Sequence, residues 1–197
     1  ALDDGTTHDI VTDEAQRSRD HKHLWRMGLD YAFTENHRLS LSYTGSYNTE
    51  HAREDVTGNV TAANAYRTKK KMHDVMLDYQ LPTGTTLNAE YTYYDTPSTQ
   101  RLASTLPTGE LHFNTDEHQR INRWKFHLGQ EHSLAGGWGL NYGVRYSLTN
   151  DHSWQAFTST GDNTAANPTN SYSRQNEDIV NVYAGTNGKI GQKVNFE

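Results

Sequence analysis

Cysteine is absent from the 197 residues, which excludes a disulfide framework, a thiol nucleophile and a thiolate metal site. Long hydrophobic runs are missing as well. The longest is three residues, as in Val75-Met76-Leu77, where a membrane-crossing helix needs roughly 20. Hydrophobic residues make up 33% of the chain and the mean hydropathy is −0.94, too little for a conventional soluble core of this length. An excess of positive charge is also lacking. With Lys+Arg 18 against Asp+Glu 24 the net charge is −6, which supplies no field for nucleic acid. The amino end, Ala1-Leu2-Asp3-Asp4-Gly5, has no basic region followed by an apolar stretch, so it reads as a protein that stays inside or as a mature chain.

What the sequence has is 12 Tyr, 4 Trp and 5 Phe, spaced in steps of two. Trp25, Met27, Leu29, Tyr31 and Phe33 alternate with Leu24, Arg26, Gly28, Asp30 and Ala32. Such alternation is the signature of a strand with two unlike faces. After Thr34-Glu35-Asn36-His37 it resumes with Leu39, Leu41, Tyr43, Gly45 and Tyr47, so the two segments predict a hairpin. A second hairpin carries Val75, Leu77, Tyr79 and Leu81, a turn at Pro82-Thr83-Gly84-Thr85, then Leu87, Ala89, Tyr91 and Tyr93. A third carries Trp124, Phe126 and Leu128, a turn around Leu134-Ala135-Gly136-Gly137, then Trp138, Leu140, Tyr142, Val144, Tyr146 and Leu148. The fourth has apolar groups on both faces over residues 178–186, then a turn near Asn187-Gly188-Lys189 and a strand beginning Val194-Asn195-Phe196.

The tight turns centre near residues 35, 84, 135 and 189, an internal repeat of about 50 residues. Between hairpins, the polar stretches 49–70, 96–119 and 151–176 read as long loops, and residues 1–21 as a polar lead-in to a β-barrel segment over 22–197. The predicted fold is therefore all-β, an antiparallel up-and-down meander of about eight strands, either a transmembrane β-barrel or a fragment of a larger one.

The apolar face is rich in Tyr and Trp, which suits a bilayer boundary better than a dry interior. Trp25, Phe33, Tyr43, Tyr47, Tyr91, Tyr93, Trp124, Trp138, Tyr142 and Tyr146 are the expected membrane-girdle aromatics. The other face carries Arg26, Asp30, Asp74, Asp78, Glu90, Arg123, Lys125 and Arg145, the expected lumen-facing residues, since unpaired ions in a dry core would cost several kcal/mol each. The Arg67, Lys69, Lys70, Lys71 cluster reads as a loop end, with phosphates of lipopolysaccharide as the functional alternative. No catalytic or metal site is expected: His21 and His23 share a face without further ligands, Gly45-Ser46 lacks a nucleophile-elbow context, and Gly137-Trp138-Gly139 fails the dinucleotide fingerprint. Gly139 and Gly143 are expected to relieve crowding on the inward face.

The turn Leu81-Pro82-Thr83-Gly84-Thr85-Thr86, the strand Leu87-Asn88-Ala89-Glu90-Tyr91-Thr92-Tyr93-Tyr94 and the stretch Asn181-Val182-Tyr183-Ala184-Gly185 resemble the barrel of TonB-dependent outer-membrane receptors, particularly the Bacteroidetes-type outer-membrane β-barrel proteins. That resemblance implies bacterial outer-membrane localisation, lipid and lipopolysaccharide as surroundings, and import of a bulky nutrient. It also implies energy from the TonB complex through an amino-terminal plug, with this chain a piece of a larger barrel and no cofactor. Two other readings stand beside it: a soluble lipocalin-like ligand-binding barrel, and a structural or adhesin barrel in which loops act.

Overall fold

The computed structural model describes residues 11–106, 109–161, 170–190 and 194–196. Every element is a β-strand: β1 (Thr12–Thr34), β2 (His37–Gly58), β3 (Thr61–Gln80), β4 (Thr85–Leu106), β5 (Gly109–Leu134), β6 (Trp138–Gly161), β7 (Ser171–Ile190) and the short β8 (Val194–Phe196). They pair in sequence order, each antiparallel to the next. The all-β meander expected from the alternation is what the chain forms. Among the described residues β1 pairs with β2 alone, so its outer edge is bare.

The strands are far longer than the hydrophobic alternation indicates. β1 to β7 run for 20 to 26 residues each, about twice what a tilted bilayer crossing needs. The expected loop 49–70 is instead the end of β2, a turn at Asn59-Val60 and the start of β3. The expected loop 96–119 is likewise the paired ends of β4 and β5, with Leu106 opposite Gly109. Within 151–176, residues 151–161 and 171–176 are strand, and 162–169 lie outside the described residues. The lead-in 1–21 is also corrected: residues 12–21 belong to β1 and pair with β2 as far as Gly58, whereas 1–10 lie outside the described residues.

The physical reason is that a ladder of backbone hydrogen bonds needs no apolar face when both sides of the sheet are solvated. Glycines stand at the far ends of β2, β5 and β6. Gly58, Gly109 and Gly161 have φ values of 146, 133 and 128 degrees, a region that disfavours residues with a Cβ. At the opposite end Gly84 has φ 80 degrees and closes the Leu81–Thr85 turn with Gly84 N–H donating to Leu81 O at 3.1 Å.

The pairing register stacks residues of successive strands into rows. One row reads Tyr31, Leu39, Tyr79, Leu87, Leu128, Val144 and Val182. The next reads Leu29, Leu41, Leu77, Ala89, Phe126, Tyr146 and Val180, followed by Met27, Tyr43, Val75, Tyr91, Trp124, Leu148 and Asp178. These rows share one face, because side chains separated by two residues point the same way. No hydrophobic residue is buried among the described residues, and among them no second layer covers either face.

Candidate functional site

The two faces differ in exposure as well as in chemistry. Along β5, Trp124, Phe126 and Leu128 are 40%, 44% and 46% exposed, whereas Arg123, Lys125 and His127 between them are half-buried. With no covering layer among the described residues, we read the contrast along β5 as curvature, the polar side chains lying on the concave side and the apolar ones on the convex side; β3 does not show it, since Met76 on the concave side is 37% exposed while Val75 and Leu77 are half-buried. The same contrast continues in β2, where His51 and Arg53 are exposed and Ala52 and Glu54 are half-buried.

All ten expected girdle aromatics fall on the convex face. Trp25, Tyr43, Tyr47, Tyr91, Tyr93 and Trp124 cluster at its upper border, Phe33, Trp138 and Tyr142 at its lower border toward the short turns. Tyr146 sits mid-band and raises its hydroxyl to donate to Asp178 Oδ1 at 2.7 Å. Tyr31 and Tyr79, which the sequence reading left out, join the lower border, and His37 Nε2 lies 2.8 Å from the Tyr79 hydroxyl. Phe33 stacks on His37 with ring centroids 4.3 Å apart, and Tyr91 meets Trp124 at 4.4 Å. Gly45 has a local purpose here. A Cβ on it would collide with Trp25 Nε1, so the glycine is the floor across which the indole reaches to donate to the Tyr43 hydroxyl at 3.3 Å.

From the level of Thr85 up to the row that holds Trp25 and Tyr93, the apolar band rises by eight residues along each strand. At about 3.4 Å per residue and a tilt of about 40° this gives a height of about 21 Å. That is close to the lipid-facing band of an outer-membrane barrel, about 25 Å tall.

All eight expected lumen residues fall on the concave face. Six of them enter contacts with one another or with intervening polar groups. Lys125 Nζ donates to both Glu90 oxygens, at 2.8 and 3.1 Å, and Arg123 Nη2 lies 3.6 Å from Glu90 Oε1. Thr92 Oγ1 donates to Asp74 Oδ1 at 2.8 Å. Asn88 donates its amide to Asp78 and accepts from His127 Nδ1 at 2.7 Å. The other nitrogen, His127 Nε2, then accepts from the Tyr183 hydroxyl at 2.8 Å. The Arg145 guanidinium lies over the Tyr183 ring, 5.2 Å from its centroid, within cation–π range. Arg26 and Asp30, on the edge strand β1, form no ion pair among the described residues.

Tyr183 was missed as a member of this network because both faces of β7 look apolar in the sequence. The register resolves its side: it pairs with Gly143, and a Cβ on Gly143 would come 2.7 Å from its hydroxyl. Among the described residues, five buried side-chain atoms without a partner, on Asn48, Thr68, Thr96, Arg123 and Asp151, all belong to this concave face by register. Left dry and unpartnered, each costs about 1–3 kcal/mol.

One ionic cluster stands on the convex face just above the apolar band. Asp95, 7% exposed, accepts from His118 Nε2 at 2.5 Å and faces Arg120 at 3.6 Å and Lys71 at 3.9 Å. Burial is the largest single influence and pushes its carboxyl up, but the His118 hydrogen bond and the His118, Arg120 and Lys71 charges together hold it below the usual carboxylate value.

No protein-family model matches this sequence, and no curated protein matches it. Solved structures do match. The ferric yersiniabactin uptake receptor FyuA from Yersinia pestis superposes with a TM-score of 0.50 at 12% identity, over 89% of this chain and 27% of that one. The FpvAI–pyocin S2 complex gives 0.38 at 10% identity over 91% and 35%, and the translocator domain of the autotransporter NalP from Neisseria meningitidis gives 0.29 at 12% over 89% and 58%. The likeness to FyuA shows the fold: this chain is an all-β meander with the architecture of an outer-membrane β-barrel wall. It spans about a quarter of that receptor's length. The finer Bacteroidetes-type resemblance has no counterpart among these likenesses. A lipocalin-like interior does not fit the described residues either, since the apolar groups are exposed on the convex side and the ions gather on the concave side.

Proposed function

We propose that this chain is a length of wall from an outer-membrane receptor barrel that takes up a bulky nutrient. Its convex band faces lipid and its concave network faces a water-filled lumen. The observation that carries this reading is the register, which gathers apolar and aromatic side chains of seven strands on one exposed face and the ion pairs of Glu90 on the other. A bare sheet with that division is stable where one side meets hydrocarbon and the other meets water. The edge of β1, unpaired among the described residues, and the fraction of FyuA that the chain spans support a place within a larger barrel. The short turns would face the periplasm and the tall upper strands the outside.

In this reading the role is passage and capture rather than catalysis. Glu90, Lys125, Arg123, Asp78, Asn88, His127 and Tyr183 form a fixed polar lining, and the TonB complex is the partner that drives transport in the whole protein. The test is depth-dependent quenching of single-tryptophan variants of the full-length protein in bilayers of chain-brominated lipid. Trp124 and Trp25 are expected to be quenched most by bromines near one interface and Trp138 by bromines near the other. Indole emission that no brominated chain alters refutes the lipid-facing assignment.

A further inference from the structure

Above the short turns the concave face is polar, with Met76 and Ile179 as single large apolar interruptions beside Ser42 and Ser147. One cross-strand row departs from that rule. Leu24 stands opposite Ser46, Ser46 opposite Met72, Met72 opposite Tyr94, and Tyr94 opposite Ile121. Leu24 is the neighbour of Trp25, so the row runs behind the upper border of the apolar band. Leu24 is 51% exposed, and Met72, Tyr94 and Ile121 are half-buried. No second layer covers them among the described residues. Water against such a row is unfavourable, and an apolar partner lying along it relieves that contact.

Shape narrows the partner. The row crosses five strands, four spacings of about 4.8 Å, and is therefore about 19 Å long. It is one side chain wide. The next residues on the same face are polar on each side, Lys22 and Arg26 around Leu24, Lys70 and Asp74 around Met72, Thr96 and Thr92 around Tyr94. Same-face neighbours along a strand are about 6.8 Å apart, so the strip is too narrow for a flat ring system and suits an extended alkyl chain. With bonds of about 1.5 Å in a zigzag, about 15 methylenes span it.

Charge gives the chain a direction. At the β1 end Lys22 and Arg26 flank the row, and neither meets a carboxylate among the described residues. Asp20, next beyond Lys22 on this face, forms no pair with it. At the other end Asp151 takes the next position in the row, and Glu177 lies one row below on β7. Midway, Lys70 and Asp74 offset each other. An anionic head therefore belongs at β1, between two cationic side chains whose own stems cover apolar surface, with the tail running toward Ile121.

Resting on the reading of the concave face as the lumen wall, we infer that the Leu24, Met72, Tyr94, Ile121 row binds a long-chain alkyl carboxylate. Its head sits at Lys22 and Arg26, and its tail lies across β2 to β5. The nutrient taken up is then one that carries an acyl chain.

The test is photolabelling of the full-length protein in phospholipid vesicles with hexadecanoate bearing a diazirine at mid-chain, the adducts being mapped by mass spectrometry. The wild type is expected to carry adducts at Met72, Tyr94 and Ile121, besides those at the band residues Leu41, Leu77 and Phe126 that the bilayer itself delivers. Octanoate spans half of the strip and is expected to suppress the row adducts at least about 100-fold less effectively than unlabelled hexadecanoate. Lys22→Gln/Arg26→Gln is expected to weaken row labelling about tenfold or more, as loss of charge-assisted contacts requires. Labelling by the diazirine alcohol of the same length should not change in that variant. Met72→Asn/Ile121→Asn is expected to lose row labelling and Met76→Asn to keep it, with unchanged band adducts showing that each variant is folded. Absence of row adducts, as when another part of the protein covers the row, overturns the inference. So do equal competition by octanoate and row adducts indifferent to both double variants. Adducts in the band alone refute this inference and leave the lipid-facing reading standing, whereas a band free of adducts refutes that reading.

Discussion

Leu41 and Ser42 are sequence neighbours on opposite faces of β2, and an arginine placed at each should have opposite consequences. Leu41 lies in the central row of the apolar band, between Leu29 and Leu77, and is 43% exposed on the convex face. It is four residues from either border of the band, about 10 Å of depth at a 40° tilt. An arginine there can bring its guanidinium only part of the way to an interface. The expected cost for Leu41→Arg is therefore about 2–4 kcal/mol, or about 30- to 800-fold in the folded-to-unfolded ratio. Ser42 pairs with Gly28 and Met76 on the concave side, where the guanidinium stays in water, and Ser42→Arg should stay within about 0.5 kcal/mol of wild type. Equilibrium urea unfolding of the full-length protein in lipid vesicles measures both. If Leu41→Arg shifts the midpoint no more than Ser42→Arg does, or if Ser42→Arg is the more damaging, the assignment of faces is wrong.

Three further outcomes are expected. Gly84→Ala forces a Cβ into a left-handed conformation and against Glu131 O; urea unfolding should show a loss of at least about 1–2 kcal/mol, and an unchanged midpoint would refute the turn geometry. Gly45→Val should push the Trp25 indole off β2 and break its bond to Tyr43, seen as a shift of Trp25 emission in a variant lacking the other three tryptophans; an unchanged spectrum would contradict the packing. Asp95→Asn should cost about 1–3 kcal/mol at neutral pH. Because the folded carboxyl sits below its ordinary value, the Asp95 contribution is complete above the unfolded pKa, about 3.9. It fades as pH falls through the folded value, so the difference between variant and wild type should shrink in acid and not at about pH 8. A gap that persists into strong acid would remove the ion cluster as its cause.

The lower half of this sheet was legible because hydrophobic alternation at Trp25–Phe33, Leu39–Tyr47, Leu87–Tyr93 and Trp124–Leu128 fixes both strand and face, and turn residues such as Gly84 and Gly136 mark where the chain reverses. The upper half was not, because its alternation is written in charge. Arg17, Arg19, His21 and His23 alternate with Gln16, Ser18, Asp20 and Lys22, a period of two that hydrophobicity cannot report. Polar composition and length then suggested loops. The Gly58-Asn59 turn was the local clue, but only the β2–β3 ladder, which runs out to Val56 opposite Ala62, shows that the chain doubles back there. For the same reason Leu24, Met72, Tyr94 and Ile121 were separate in the sequence, and the ladder brings them together from four strands. Tyr183 needed register rather than pattern, since its neighbours Val182 and Ala184 are apolar too.

The free margin of β1 sets an order of assembly. Over 23 residues, roughly every second peptide group points away from β2 with no strand among the described residues to receive it, a template that recruits any extended chain nearby. Hydrocarbon would make each vacant donor or acceptor more expensive still. In the lipid-facing reading, insertion of this stretch is expected to coincide with capture of a neighbouring strand, and synthesis of residues 12–190 in isolation should yield edge-to-edge polymers in place of a discrete particle.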